Sequence, residues 1–342
     1  MGKFISSLKD ASEKLGVTFD ENLYQVEKEY PFLISEYYLN LIDKKYPLSD
    51  PIFVQSFPSV GEINITDKTL TDDPQCEKDF VPVPRLVHRY NDRALILATN
   101  RCSTFCRFCF RKRYWKADSK REDISTKELN RILSYLKEMK SLEEVIISGG
   151  DPLMLSDAKL KLILDSIHSI PHIKTIRLAS RIPVTFPERI TDKLVKLLSK
   201  YDNLWFVTHF NHPNELTKNS LDACRKITSS GIPMLNQTVL LKGINDSPET
   251  LRELFRELAA NRIKPYYLFH VDPVCGVTHF ATGIEKGLEI MRYFRKNLST
   301  LATPQFAIDL PEGGGKVSLQ PDYSSGDKSF SSVEETTKID YY

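Results

Sequence analysis

Six short apolar runs, rich in β-branched and aromatic residues, recur along the chain from residue 94 onward. They are Ala94–Thr99, Glu144–Ser148, Thr175–Ala179, Leu204–His209, Leu235–Leu241 and Tyr266–Val271. Between them the hydrophobic period lengthens to that of a helix. Ser125 and Glu128 form a capping box ahead of Leu129, Ile132, Leu133 and Leu136 on one face. Leu160, Ile163, Leu164 and Ile167 repeat the spacing, and Ser247-Pro248 opens a further stripe through Leu251, Leu254, Phe255 and Leu258. Alternation in units of ~30 residues predicts parallel strands joined by right-handed crossovers. So many units favour an α/β fold of one kind, a full or partial parallel β/α (TIM-like) barrel. No G-x-G-x-x-G follows the first strand, which argues against a doubly wound dinucleotide-binding sheet.

The flanks read differently. Tyr30 to Tyr46 is rich in Leu, Ile and Tyr and reads as helical, whereas prolines recur from Pro47 to Pro84 and suit an extended, wrapping segment. The predicted organisation is an N-terminal accessory region of helical and extended segments over residues 1–85, a barrel over 86–323, and a flexible Ser- and charge-rich tail over 324–342. At 342 residues the chain can bury a full core, and a net charge of +2 implies no polyanionic partner such as nucleic acid. No apolar run approaches the ~20 residues of a membrane span, and the first residues lack a signal core, so a cytoplasmic location is expected. Met1-Gly2 with Ser6 matches the bare myristoylation pattern, which is short enough to arise by chance.

Candidate chemistry gathers after the strands. Cys102, Cys106 and Cys109 form a C-x3-C-x2-C array directly behind the first run, with arginines and lysines following. Three nearby thiolates suit an iron–sulfur cluster, and a three-cysteine set leaves one iron of a four-iron cluster open. A disulfide framework does not fit, since the other cysteines are scattered. Zinc remains the alternative: His88 is an available fourth ligand, but the paired spacing of structural zinc sites is missing. Further polar groups end the later runs: Gly149-Gly150-Asp151, Ser180-Arg181, His209-Phe210-Asn211-His212, Asn236-Gln237 and Asp272. In parallel barrels such strand ends form the active-site mouth.

The cysteine array after the first barrel strand, with Ser148-Gly149-Gly150-Asp151-Pro152 after the next, resembles the radical S-adenosylmethionine superfamily. The resemblance implies that S-adenosylmethionine chelates the open iron and that Gly149, Gly150 and Asp151 lie against it. Finer motifs are similar to those of the lysine 2,3-aminomutase family over roughly residues 80 to 323. They are His88-Arg89-Tyr90-x2-Arg93, Cys109-x-Arg111, Thr208-His209-Phe210-Asn211-His212-Pro213, Asn236-Gln237-x-Val239-Leu240-Leu241 and Pro311-x-Gly313-Gly314-Gly315-Lys316. That family adds pyridoxal 5′-phosphate, so Lys316 is expected to hold it covalently, with Arg89 and Gln237 near its phosphate and ring and His209 on the adenosyl side. A phosphate-binding loop is the other reading of the glycines, but G-x4-G-K-[ST] is absent.

By the same resemblance Arg111 grips the substrate carboxylate in a two-pronged contact, while Asp272 and Asp309 hold the distal ammonium of L-lysine. Glutamate would leave both carboxylates unpaired; arginine, also cationic, is a less firmly excluded substrate. The expected reaction is a 2,3-migration of the amino group giving β-lysine, fed by a reducing donor of the flavodoxin or ferredoxin type. Two alternatives stand beside it: an aminomutase serving modification of elongation factor P, and a non-catalytic zinc-stabilised module. Long family members bind zinc across a dimer interface through C-terminal cysteines. None follows Cys275 here, and Ser247 stands at a further ligand position, so any homo-oligomer is expected to lack intersubunit zinc.

Overall fold

The computed structural model describes residues 4–63, 70–116, 120, 122–325, 329–334 and 336–340. The Met1-Gly2 pattern lies outside them. Two short strands, β1 (Phe4–Ile5) and β2 (Ile34–Ser35), pair antiparallel at the start. One large sheet follows: β3 (Leu86–Tyr90), β4 (Arg93–Thr99), β5 (Glu144–Gly149), β6 (Thr175–Ala179), β7 (Leu204–Thr208), β8 (Met234–Leu240), β9 (Ile263–His270), β10 (Gln305–Leu310) and β11 (Gly315–Leu319). They lie side by side in chain order. From β4 to β10 every neighbour is parallel; β3 and β11 run antiparallel at the two edges. The edges are not paired with each other, yet the backbone N–H of Lys316 on β11 donates to Tyr90 Oη on β3 at 3.1 Å. The fold is therefore a partial β/α barrel whose gap is spanned by a side chain.

Helices cover the outside, and their stripes explain why. In Thr126–Glu138 the capping box forms, Glu128 N donating to Ser125 Oγ and Ser125 N to the Glu128 carboxylate, and Leu129, Ile132 and Leu136 are buried. Asp157–His168 buries Leu160, Ile163, Leu164 and Ile167, and Pro248–Ala260 buries Leu251, Leu254, Phe255 and Leu258. The period of two along the strands separates inside from outside. Val145, Ile147, Ile176 and Leu178 pack outward into the helix layer, whereas Ile146, Ser148, Arg177 and Ala179 line the interior.

Three strands of the large sheet escaped the sequence reading, as did the four of the two small sheets. β3 and β11 are polar edge strands with only one neighbour, and β10 is a short run behind a long helix. The helix expected over Tyr30 to Tyr46 is corrected. Glu21–Glu29 ends at Tyr30, which Pro31 holds out of the helical region, and only Glu36–Leu39 is helical, capped by Ser35. The proline-rich stretch also carries short helical turns, among them Pro51–Ser56 and Glu77–Phe80.

The N-terminal residues pack into the main core. Leu8, Phe32, Ile34, Tyr38, Phe53 and Phe57 share it with the barrel helices. At the other end β12 (Ser329–Ser331) and β13 (Lys338–Asp340) form a local antiparallel hairpin in the segment read as a flexible tail. No helix among the described residues is long and apolar enough to cross a membrane.

Candidate active site

β4 delivers the chain into the cysteine loop over the Gly149-Gly150-Asp151 turn. Gly149 has φ +127°, and a Cβ there would lie 2.2 Å from Thr99 O; one at Gly150 would lie 2.4 Å from Arg101 O. The glycines let two strand ends touch: Gly150 N donates to Thr99 O at 2.6 Å and Asp151 N to Arg101 O at 2.7 Å, just before Cys102. Their missing side chains thus first serve backbone packing. Asp151 is equally engaged, accepting from Ser180 Oγ, Leu153 N and Arg181 N at 2.7, 3.0 and 2.8 Å. Burial nonetheless pushes its carboxyl up to about 6, against the pull of those donors.

Cys102, Cys106 and Cys109 line one interior cavity of about 560 Å³. No group of three or more His, Cys, Asp or Glu among the described residues forms a ready site for a single metal ion. Between the cysteines, Arg107 turns away into the N-terminal residues. Its guanidinium binds the Glu62 carboxylate and the carbonyls of Tyr30 and Pro31. Lys112 Nζ reaches the same carboxylate and Gly276 O. Burial would raise the Glu62 pKa, but the two cations hold it below the ordinary range; burial pushes Lys112 down to about 8 despite Glu62. Phe105 stacks on Trp115, ring centroids 4.7 Å apart, behind the loop.

Arg181, at the end of β6, faces the array. Its Nη1 lies 2.7 Å from Cys106 Sγ, while Nη2 donates to Gln55 Oε1 and Glu215 Oε1, both at 2.7 Å. Its Nε donates to the carbonyl of His209, whose ring packs against Phe108 at 5.5 Å between centroids. Burial, then Arg181, push the His209 imidazole down to about 3, so it is neutral.

The opposite wall carries a different set. Lys316 Nζ pairs with Asp309 Oδ2 at 2.7 Å and sits 3.9 Å over the Phe269 ring centroid. Burial holds its pKa below the usual lysine value, with Asp309 opposing. Asp272 accepts from Gln75 Nε2 at 3.0 Å, and burial and then Asp309 push it up to about 6. Arg111 gives its Nε–Nη2 edge to Glu77, closest at 2.6 Å. A two-pronged grip on any other carboxylate is left to the Nη1–Nη2 end. Arg89 lies against the Phe80 and Tyr90 rings, and its Nη2 is buried without a hydrogen-bond partner.

The residues given a cofactor, substrate or cluster role all border this one cavity: Cys102, Cys106, Cys109, Arg89, Arg111, Gly149, Gly150, Asp151, His209, Gln237, Asp272, Asp309 and Lys316. Asn211, His212 and Asn236 do not border it and serve local hydrogen bonds instead, and His88, the candidate fourth zinc ligand, pairs with Tyr135 Oη at 2.7 Å. Missing from the sequence reading were Gln75 and Glu77, which sit in the proline-rich segment with no periodic signal, and Arg177, an inward residue of β6. The motif quoted around His88 contained Arg93, which also lines the cavity, without a role for it.

A model of the radical SAM superfamily matches residues 96–255. An Aquifex aeolicus protein provisionally described as an L-lysine 2,3-aminomutase is 44% identical, over 93% of this chain and 86% of its own. The L-lysine 2,3-aminomutase of Methanococcus maripaludis is 42% identical, over 93% of this chain and 74% of its own. The chain belongs to the lysine 2,3-aminomutase family. Members of that family are radical S-adenosylmethionine isomerases that use a four-iron cluster. The glutamate 2,3-aminomutase of Clostridioides difficile is 39% identical, over 93% of this chain and 75% of its own, so family membership leaves the amino acid open. The superfamily match spans the cysteine loop, Arg181, His209 and Gln237 but stops before Asp272, Asp309 and Lys316.

Proposed function

We propose that this chain is an L-lysine 2,3-aminomutase, giving β-lysine, and that the carboxylates Asp272 and Asp309 select its substrate. The carrying observation is their position: both border the cavity that also holds Arg111 and Lys316, and both face a cation or an amide donor. A glutamate side chain would place a third carboxylate beside two others in a partly buried site, where like charges repel. A lysine ammonium supplies the missing charge.

The residues present fit the groups the reading requires. The three cysteines share one cavity wall, and three neighbouring thiols suit the ligands of one cluster. Arg89 Nη2, buried and unpartnered, is a donor in want of an anion and fits the phosphate of pyridoxal 5′-phosphate. Lys316, with its pKa lowered by burial, fits the lysine that carries it. When bound, the cluster with S-adenosylmethionine supplies a hydrogen-abstracting radical, and pyridoxal 5′-phosphate supplies a ring that spreads an unpaired electron.

The protein's own residues then position and exclude. Arg111 offers its free end to the substrate α-carboxylate while Glu77 fixes the guanidinium plane. Asp309, released when Lys316 turns to the cofactor, joins Asp272 around the distal ammonium. Arg181 fixes the loop bearing Cys106 against the ends of β6 and β7. Asp151 braces that arrangement rather than meeting the cofactor with a free carboxylate. His209 is neutral, so on the adenosyl side it acts by hydrogen bonding and shape, not charge. Gln237, on β8, borders the cavity and is proposed to lie near the ring. A flavodoxin- or ferredoxin-type protein in the reducing cytoplasm is the proposed electron source.

The test is anaerobic reconstitution with iron, sulfide, pyridoxal 5′-phosphate, S-adenosylmethionine and reductant. L-Lysine should yield β-lysine. Product from L-glutamate or L-arginine alone would overturn the substrate, and zinc with neither chromophore would overturn the enzyme.

A further inference from the structure

Resting on the lysine reading, we propose that Gln75 is a specificity-determining residue, which holds one oxygen of Asp272 and so fits the distal pocket to an ammonium in preference to a guanidinium. Gln75 lies in a strap over residues 71–80 that crosses the cavity wall. The strap is pinned at two places: Cys275 N donates to Thr71 O at 3.1 Å, and Glu312 N to Pro74 O at 2.9 Å. Cys76 has φ +50°, a left-handed conformation unfavourable for a side-chain-bearing residue. That turn sends the side chains on either side of it to different partners on the same wall. Glu77 goes to Arg111, and Gln75 goes to Asp272, donating from Nε2 to Oδ1 at 3.0 Å.

The consequence follows from donor geometry. An ammonium is compact and carries three donors that it can distribute one by one among separate carboxylates. One oxygen from Asp272 and one from Asp309 suffice. A guanidinium is a planar fork that binds best side-on to both oxygens of one carboxylate. Gln75 already takes one lone pair of Oδ1, so a fork that needs both oxygens must share that oxygen with the amide and crowd against its N–H, whereas an ammonium can use Oδ2 alone. Asp309 offers no substitute of the same kind, because its partner β11 runs directly alongside it and Lys316 is its register mate. The pair Gln75–Asp272 thus reads the shape of the cation, whereas the charge of the two aspartates reads only its sign.

The experiment uses the full reconstituted enzyme and two numbers, KM for L-lysine and the inhibition constant of L-arginine against it. Gln75→Leu keeps similar bulk and removes the amide; Gln75→Met is an unbranched second choice should the leucine disturb the strap. Iron content and bound pyridoxal 5′-phosphate should match the unsubstituted enzyme. We expect the preference, arginine Ki divided by lysine KM, to fall about tenfold, the usual size of one hydrogen bond to a charged group, with kcat for lysine changed less than about twofold. Combining Gln75→Leu with Asp272→Asn should add nothing to the loss of preference caused by Asp272→Asn alone. A preference unchanged in both Gln75 variants, or additive losses in the double variant, would overturn the proposal while leaving lysine as substrate. No lysine turnover by the loaded unsubstituted enzyme would overturn the lysine reading and this proposal together.

Discussion

Lys316 and the two aspartates concentrate most of the function in three side chains, and each responds differently to change. Lys316→Ala should remove the absorbance that pyridoxal 5′-phosphate acquires on a lysine, and turnover with it, while iron content stays at the unsubstituted level. Retained absorbance would mean that another group holds the cofactor. Asp272 makes a pH prediction. The groups facing it are Asp309, Lys316, Arg111 and the Gln75 amide, and the balance of burial and charge sets its carboxyl at about 6. Only the ionised form attracts an ammonium. KM for lysine should therefore be flat above about pH 7 and rise below about pH 6, by up to about tenfold per unit. The stability sign is the opposite: a carboxyl raised on folding contributes fully below about pH 4 and loses that contribution as pH climbs through about 6. Lysine added at neutral pH should thus raise the melting temperature more than it does at pH 5, which calorimetry can read. The roles of these three residues were legible only through the resemblance to a known family: Lys316 stands in its glycine-rich motif and Asp272 also ends an apolar run, but Asp309 lies on β10, a strand the sequence did not announce. Gln75 was not legible, since it meets Asp272 across 197 residues and an amide in a proline-rich stretch has no local signature.

At the scale of elements, the cysteine loop shows why a motif is not yet a site. The array itself is readable, but what stiffens it is the buried set Arg107–Glu62–Lys112, whose members are 45 and 50 residues apart in sequence. Glu62 lies in a short turn after the proline-rich helix, and only the fold brings it under the loop. Glu62→Gln leaves two buried cations facing each other. We expect a loss of about 3–5 kcal/mol in stability, the range for breaking buried ion pairs from one side, together with reduced iron uptake. Chemical denaturation and iron analysis check both; an unchanged unfolding midpoint would show that the triad contributes little. The glycine turn beneath the loop makes a complementary case. At Gly150 an added Cβ meets backbone, not a movable side chain, so Gly150→Ala should shift the ends of β4 and β5 apart and impair the cluster even though no ligand is touched. The barrel strands β4 to β9 were readable for a related reason: each is a compact apolar run flanked by helical stripes or turn signals, whereas β10 was missed and β3 and β11 owe their strand form to a single neighbour and to the gap they flank.

For the whole molecule, the partial barrel is built around what it leaves unfilled. A closed barrel packs its interior with side chains; here the inward positions of β5 and β6 border a cavity, and the N-terminal residues take over part of the work of sealing and bracing it. Tyr38 and Gln55 meet Arg181, Glu62 meets the cysteine loop, and Gln75 and Glu77 meet the distal wall. Their apolar neighbours Leu8, Phe32, Tyr38, Phe53 and Phe57 lie in the same core as the barrel helices. Cutting before residue 86 would expose that apolar surface and strand Arg107, Lys112 and Arg181 without their anions or amide. Such a fragment should lose its near-ultraviolet circular dichroism and fail to hold iron. The far end offers the control. The hairpin of β12 and β13 pairs mainly with itself, so ending the chain after residue 325 should shift the melting temperature by no more than about 2 °C. Equal tolerance of both cuts would mean that the barrel folds and shapes its cavity without the N-terminal residues, and the bracing derived for Glu62, Gln75 and Glu77 would then have to be carried by the barrel alone.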